Sequence, residues 1–138
     1  MNNIRNRNII IAALIIFAAS LFNGCGNTYQ HLSADEALNM MKTEENYIIV
    51  DVRTQEEYDK RHIPGAVLLP ISEIKAGNVS SLLPDKNQTL LVYCWTGRRA
   101  EDAAKMLADL GYTNVYELGG LVDWNGEVEG NEVDKLPN

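Results

Sequence analysis

Two short apolar runs restrict this chain more than any other feature: Tyr47–Val52, reading YIIVDV, and Thr89–Tyr93, reading TLLVY. Both are bulky or β-branched, neither alternates with polar residues, and both are too short for buried helices. Such strands are buried on both faces, as in a parallel sheet covered by helices on each side. Each run leads into a helix start. Thr54 with Glu57 forms a capping box after the first; after the second, Ala100, Ala103, Ala104, Leu107 and Leu110 mark one helical face, stopped at Gly111.

The remaining segments fit the same alternation. Ser33 with Glu36 is a further capping box opening a helix over Ala34–Lys42, and Val67–Leu69 and Val115–Leu118 read as strands. Ser72–Leu83 reads as a weaker helix interrupted at Gly77 and Asn78, Leu121–Asn125 as a last helical turn, and the acidic stretch from Gly126 onward as loosely ordered. The expected class is therefore α/β, with a central parallel sheet of four to five strands and helices on both faces. At 138 residues this is one domain.

Charge and cysteine content limit the partners. The formal charge is −7, and the Lys and Arg residues are interleaved with carboxylates, so no basic stripe exists for a nucleic acid. A monomer without cofactor or metal is expected. Arg5 and Arg7 precede the apolar run Ile9–Phe22, too short to span a bilayer, and Asn23-Gly24-Cys25 follows. Residues 1–24 therefore read as a secretory signal. The stretch Leu21–Cys25 resembles the lipobox of bacterial lipoproteins, with Phe22 and Asn23 departing from the usual residues. That resemblance implies lipidation at Cys25 and a membrane-anchored or periplasmic protein of the bacterial cell envelope. A tether is expected over 25–31, in which Asn27–His31 reads as a short tether or first strand. With Cys25 acylated, Cys94 is the single free thiol and no internal disulfide forms.

The chemistry concentrates in Val92–Ala103, VYCWTGRRAEDA. A strand delivers Cys94, a five-residue loop with Gly97, Arg98 and Arg99 follows, and a helix begins at once. Successive loop amides and the positive end of that helix make an anion site, and a cysteine placed there is set up as a nucleophile. Asp51 and Arg53 lie at the carboxyl end of another strand, the side on which ligands bind in open α/β sheets.

Several segments together resemble the rhodanese family of sulfurtransferases, from about Leu32 to Trp124. They are Asp51-Val52-Arg53 with Glu57-Tyr58; His62-Ile63-Pro64-Gly65-Ala66 with Pro70; Tyr93-Cys94-Trp95-Thr96-Gly97-Arg98-Arg99; Leu110-Gly111-Tyr112; and Gly119-Gly120 with Trp124. The resemblance implies a single rhodanese-like domain over 32–126 with an acidic tail at 127–138. It also implies transfer of a sulfane sulfur from a small anionic donor such as thiosulfate to cyanide or a thiol, through a persulfide on Cys94. In that reading Trp95, Thr96, Gly97, Arg98 and Arg99 form the anion-binding loop, while Asp51 and Arg53 brace it. His62 belongs to a turn in this family and is not needed as a base by a thiolate. A cysteine phosphatase would need five residues between cysteine and arginine; four separate Cys94 from Arg99. The remaining alternatives are a membrane-tethered persulfide carrier and a binding module that keeps only the fold.

Overall fold

The computed structural model describes residues 28–132. The expected signal segment 1–24, the lipidation site Cys25 and the end of the acidic tail lie outside these residues. Five strands form one parallel sheet: β1 (Gln30–His31), β2 (Tyr47–Asp51), β3 (Val67–Leu68), β4 (Thr89–Cys94) and β5 (Asn114–Gly120), in spatial order β1-β5-β4-β2-β3. Four helices accompany them: α1 (Ala34–Thr43), α2 (Gln55–Lys60), α3 (Ile71–Lys75) and α4 (Arg98–Asp109). Both capping boxes are formed, at Ser33 with Glu36 and at Thr54 with Glu57.

The two apolar runs occupy the middle of the sheet, side by side, with Val50 opposite Val92 and Asp51 opposite Tyr93. Successive residues of a strand face opposite sides. Leu90, Val92 and Cys94 thus point into a core with Ala100, Ala103, Ala104 and Leu107 of α4 and with Ile74 of α3. Leu91 and Tyr93 point the other way, into a core with Ala37 of α1, Ile49 and Ile63. Both faces are covered, which is why these runs carry no polar alternation.

The strand order also determines where a site can open. From β2 the chain passes outward to β3, and from the adjacent β4 it passes in the opposite direction to β5. The connections after β2 and β4 therefore diverge, leaving a crevice at the carboxyl ends of these two strands. Asp51 and Cys94 are their last residues.

Of the tether or first strand read over Asn27–His31, Gln30–His31 pairs with Tyr116 and Glu117 and supplies the fifth strand. Two segments differ from the sequence expectation. The helix expected over Ser72–Leu83 spans only Ile71–Lys75. Gly77 then takes φ +80°, and the buried Val79 and Leu83 reach the core from turns. The stretch expected to be loose after Gly126 is docked: His62 and Glu129 exchange backbone hydrogen bonds at 2.8 Å, and the amides of Asn131 and Glu132 donate to the carbonyls of Asp59 and Lys60. Main-chain groups, which composition does not reveal, hold it there. Among the described residues no helix is long and apolar enough to cross a membrane.

Candidate active site

The base of the crevice is a buried polar network. The Arg53 guanidinium donates from Nε and Nη2 to the Asp51 carboxylate at 2.6–3.1 Å, and Nη2 also donates to the Arg61 carbonyl at 2.6 Å. Tyr93 donates its hydroxyl to Asp51 Oδ2 at 2.6 Å and accepts from the Ile63 amide at 3.1 Å. Burial first, then the Asp51 carboxylate, pushes the Tyr93 phenol far above its ordinary range. Burial opposes the Arg53 charge, yet the hydrogen bonds and charge of Asp51 hold its pKa above the usual arginine value. Every partner is satisfied, so the network anchors the turn at residues 61–63 to the residue before Cys94. Asp51 and Arg53 are placed to brace the loop from beneath.

Cys94 is fully buried, and the Gly97 amide donates to its Sγ at 3.1 Å. Gly97 is the N-cap of α4 at φ +97°, a conformation that suits glycine. The amides of Arg98 and Arg99, in the first turn, have no carbonyl one turn back to bond within the helix. They extend the positive end of α4 beside the sulfur.

The end of β5 shapes the other side of the loop. Leu121 and Val122 donate their amides to the carbonyls of Cys94 and Trp95, at 3.0 and 3.2 Å. Gly120 is the point of closest approach. A Cβ there would fall 2.1 Å from the Trp95 oxygen and 2.6 Å from Thr96 Cα, so only glycine fits. The Gly119-Gly120 pair is therefore a seat for the cysteine loop.

The remaining loop side chains divide by role. Arg99 places both terminal nitrogens on Glu57, at 2.7 and 2.8 Å. This pair, above all, draws the Glu57 carboxyl down to about 2 and raises the Arg99 pKa, to which the neighbouring Cys94 sulfur adds. Expected to contact the substrate, Arg99 here ties the loop to α2. Trp95, Thr96 and Arg98 are exposed around the mouth. His62 stacks on Tyr58 with ring centroids 3.7 Å apart, and its Nδ1 donates to the Tyr58 carbonyl at 2.6 Å, a turn brace.

Two carboxylates were not foreseen in these positions. Glu57, which the sequence marks as a helix cap and as part of the family resemblance, keeps the cap while also gripping Arg99. Glu117, buried on β5, accepts from the Gly119 amide at 2.5 Å and lies 2.6 Å from His31 Nδ1. A lone carboxylate in the otherwise uncharged stretch Asn114–Gly120 was its signal. Among the described residues no group of His, Cys, Asp and Glu could hold a metal ion.

The family profile "Rhodanese-like domain" matches residues 33–127, which include every element just described except β1. The chain belongs to the rhodanese-like family. Thiosulfate sulfurtransferase PspE of Escherichia coli is 42% identical over 74 residues, covering 54% of this chain and 70% of that protein. The putative sulfur carrier protein YrkF of Bacillus subtilis is 36% identical over 101 residues, 72% of this chain; the match spans only 48% of YrkF. Among solved structures, an Escherichia coli rhodanese with anions superposes with a TM-score of 0.57 at 36% identity, covering 62% of this chain and 99% of that one. The rhodanese-like domain thus accounts for the parallel sheet from β2 to β5 and the helices that cover it.

Proposed function

We propose that the protein is a sulfurtransferase that carries a sulfane sulfur on Cys94. The observation that supports this best is the Cys94 sulfur held under the Gly97 amide at the start of α4, in a rhodanese-like domain. The Cys94 thiolate attacks the outer sulfur of thiosulfate or a related donor. The donor's S–S bond breaks, and sulfite leaves with the electron pair. A cyanide or thiolate acceptor then attacks the terminal sulfur of the Cys94 persulfide, restoring the thiolate. This is covalent catalysis by an activated nucleophile, with loop amides and the end of α4 stabilising the anionic donor and leaving group. Trp95, Thr96 and Arg98 surround the incoming donor.

Steady-state turnover of thiosulfate with cyanide tests the enzyme. Wild type should release sulfite and thiocyanate together, and Cys94→Ser should release neither. Full activity in the serine variant would refute the reading. The resemblance to a putative sulfur carrier supports a second one, in which the persulfide forms but passes only to a protein partner; loading on Cys94 without turnover of small acceptors would identify it. We further propose that the protein is an exported monomer, tethered by lipid on Cys25 to a membrane of the cell envelope. Cys25→Ser should move it from the membrane to the soluble fraction, and continued membrane association would contradict the anchor.

A further inference from the structure

Glu117 is a buried carboxylate that the reaction derived above does not use. Its side chain is 8% exposed, and it pairs across the β1–β5 ladder with His31. Both of its oxygens are committed: Oε2 accepts from His31 Nδ1 at 2.6 Å, and Oε1 accepts from the Gly119 amide at 2.5 Å. Its main chain is fixed as well, because its carbonyl accepts from the Leu32 amide at 2.9 Å.

The grip on Gly119 reaches the sulfur of Cys94 through Gly97. Gly119 takes φ +80°, and its backbone lies against Gly97. A Cβ on Gly97 would fall 3.3 Å from Gly119 Cα, 3.4 Å from its carbonyl carbon and 3.7 Å from Glu117 Oε1. Gly97 in turn donates its amide to Cys94 Sγ at 3.1 Å. Its carbonyl is held from the helix side by the Glu101 amide; on the opposite side it rests on Gly119.

Glu117 has two effects on a Cys94 thiolate, of opposite sign. Its negative charge disfavours a second one on the sulfur, whereas a hydrogen bond from a fixed Gly97 amide favours the thiolate. The amide touches the sulfur directly, while the carboxylate's charge is spent on His31 and Gly119. Arg98, Glu101 and Asp123 line the groove beside the pair but are exposed, where water and salt screen them. Resting on the reading of Cys94 as the reacting sulfur, we propose that Glu117 is its positioning residue. By holding Gly119 against Gly97 it keeps the Gly97 amide on the sulfur, and His31 holds Glu117 in turn. The edge strand β1 thereby belongs to the site, although His31 touches nothing that reacts.

The test is the ultraviolet absorbance of the thiolate, followed across pH on the full chain as the difference from the matching Cys94→Ser protein. It reads the ionisation of Cys94 without a reagent having to reach the buried sulfur. Glu117→Met fills a similar volume without an acceptor and should raise the midpoint by about one pH unit, an ionisation about tenfold weaker. Glu117→Gln keeps an acceptor oxygen for Gly119 and loses the charge, so its midpoint should lie at or below that of wild type. An unmoved midpoint in folded Glu117→Met overturns the proposal and leaves Glu117 a brace of the fold; a lowered midpoint in both variants overturns it in favour of charge. Should Glu117→Met not fold, His31→Ala frees the same carboxylate from an exposed position and should also raise the midpoint. His31→Asn, whose amide nitrogen stands in for Nδ1, should restore it. No rise in His31→Ala then overturns the proposal. Wild type that takes no sulfur from thiosulfate overturns the persulfide reading, while an unmoved midpoint overturns only the part given to Glu117.

Discussion

Glu57 and Arg99, on different helices and 42 residues apart, meet in a two-point ion pair at 2.7 and 2.8 Å beside the cysteine loop. The same carboxylate caps α2 through Thr54, so one side chain joins the start of that helix to the start of α4. The pair is about a third exposed, which limits its worth to about 1 kcal/mol after solvent screening. The folded carboxyl is held at about 2 against an ordinary value of 4.5. Because its pKa is depressed on folding, its contribution is full above the ordinary value and is lost as pH falls toward about 2. Denaturant melts of wild type and Glu57→Gln should therefore differ at neutral pH and converge across that acidic window. A constant gap would assign the effect to helix capping alone.

Arg98 tests the loop's attraction for a dianion. It is exposed and outside the Glu57 pair, so it is the loop cation free to steer an incoming donor. Arg98→Gln should raise the KM for thiosulfate several-fold with little change in kcat, and should flatten its salt dependence. An unchanged KM and salt response would leave the backbone amides as the anion site.

The seat formed by Gly120 should tolerate no side chain. Its added Cβ would lie 2.1 Å from the Trp95 oxygen, a backbone atom that cannot swing away. Gly120→Ala should cost about 1–3 kcal/mol, or more if β5 is displaced, as overpacking does. It should also lower kcat through the displaced loop. A variant with wild-type Tm and activity would mean that β5 does not seat the loop.

Beneath the loop, Asp51 and Arg53 form an ion pair that is closed to solvent. Asp51→Asn leaves the arginine charge uncompensated and should destabilise by about 3–5 kcal/mol. Tyr93→Phe removes one neutral donor to the same carboxylate and should cost about 1–3 kcal/mol. Thermal or denaturant unfolding orders the two, and equal losses would contradict a charge-centred network.

The strands were legible because burial on both faces writes an unbroken apolar run, and the helices because Ser33 and Thr54 are capped by Glu36 and Glu57 within four residues. The cysteine loop was legible for the same reason: strand, glycine and helix are adjacent in sequence. Relations between distant segments were not. Nothing local announces that Glu57 reaches Arg99, that Glu117 meets His31, or that Gly120 must lack a side chain to clear Trp95. The docked stretch Glu127–Glu132 was misread because its hydrogen bonds are made by main chain while its side chains are polar and acidic.

The central claim is that Cys94 carries the transferred sulfur, and intact-mass measurement of the described domain after incubation with thiosulfate tests it most directly. The account predicts a gain of one sulfur atom in wild type, reversed by a thiol acceptor and absent in Cys94→Ser. No gain in wild type, or the same gain in the serine variant, would contradict it.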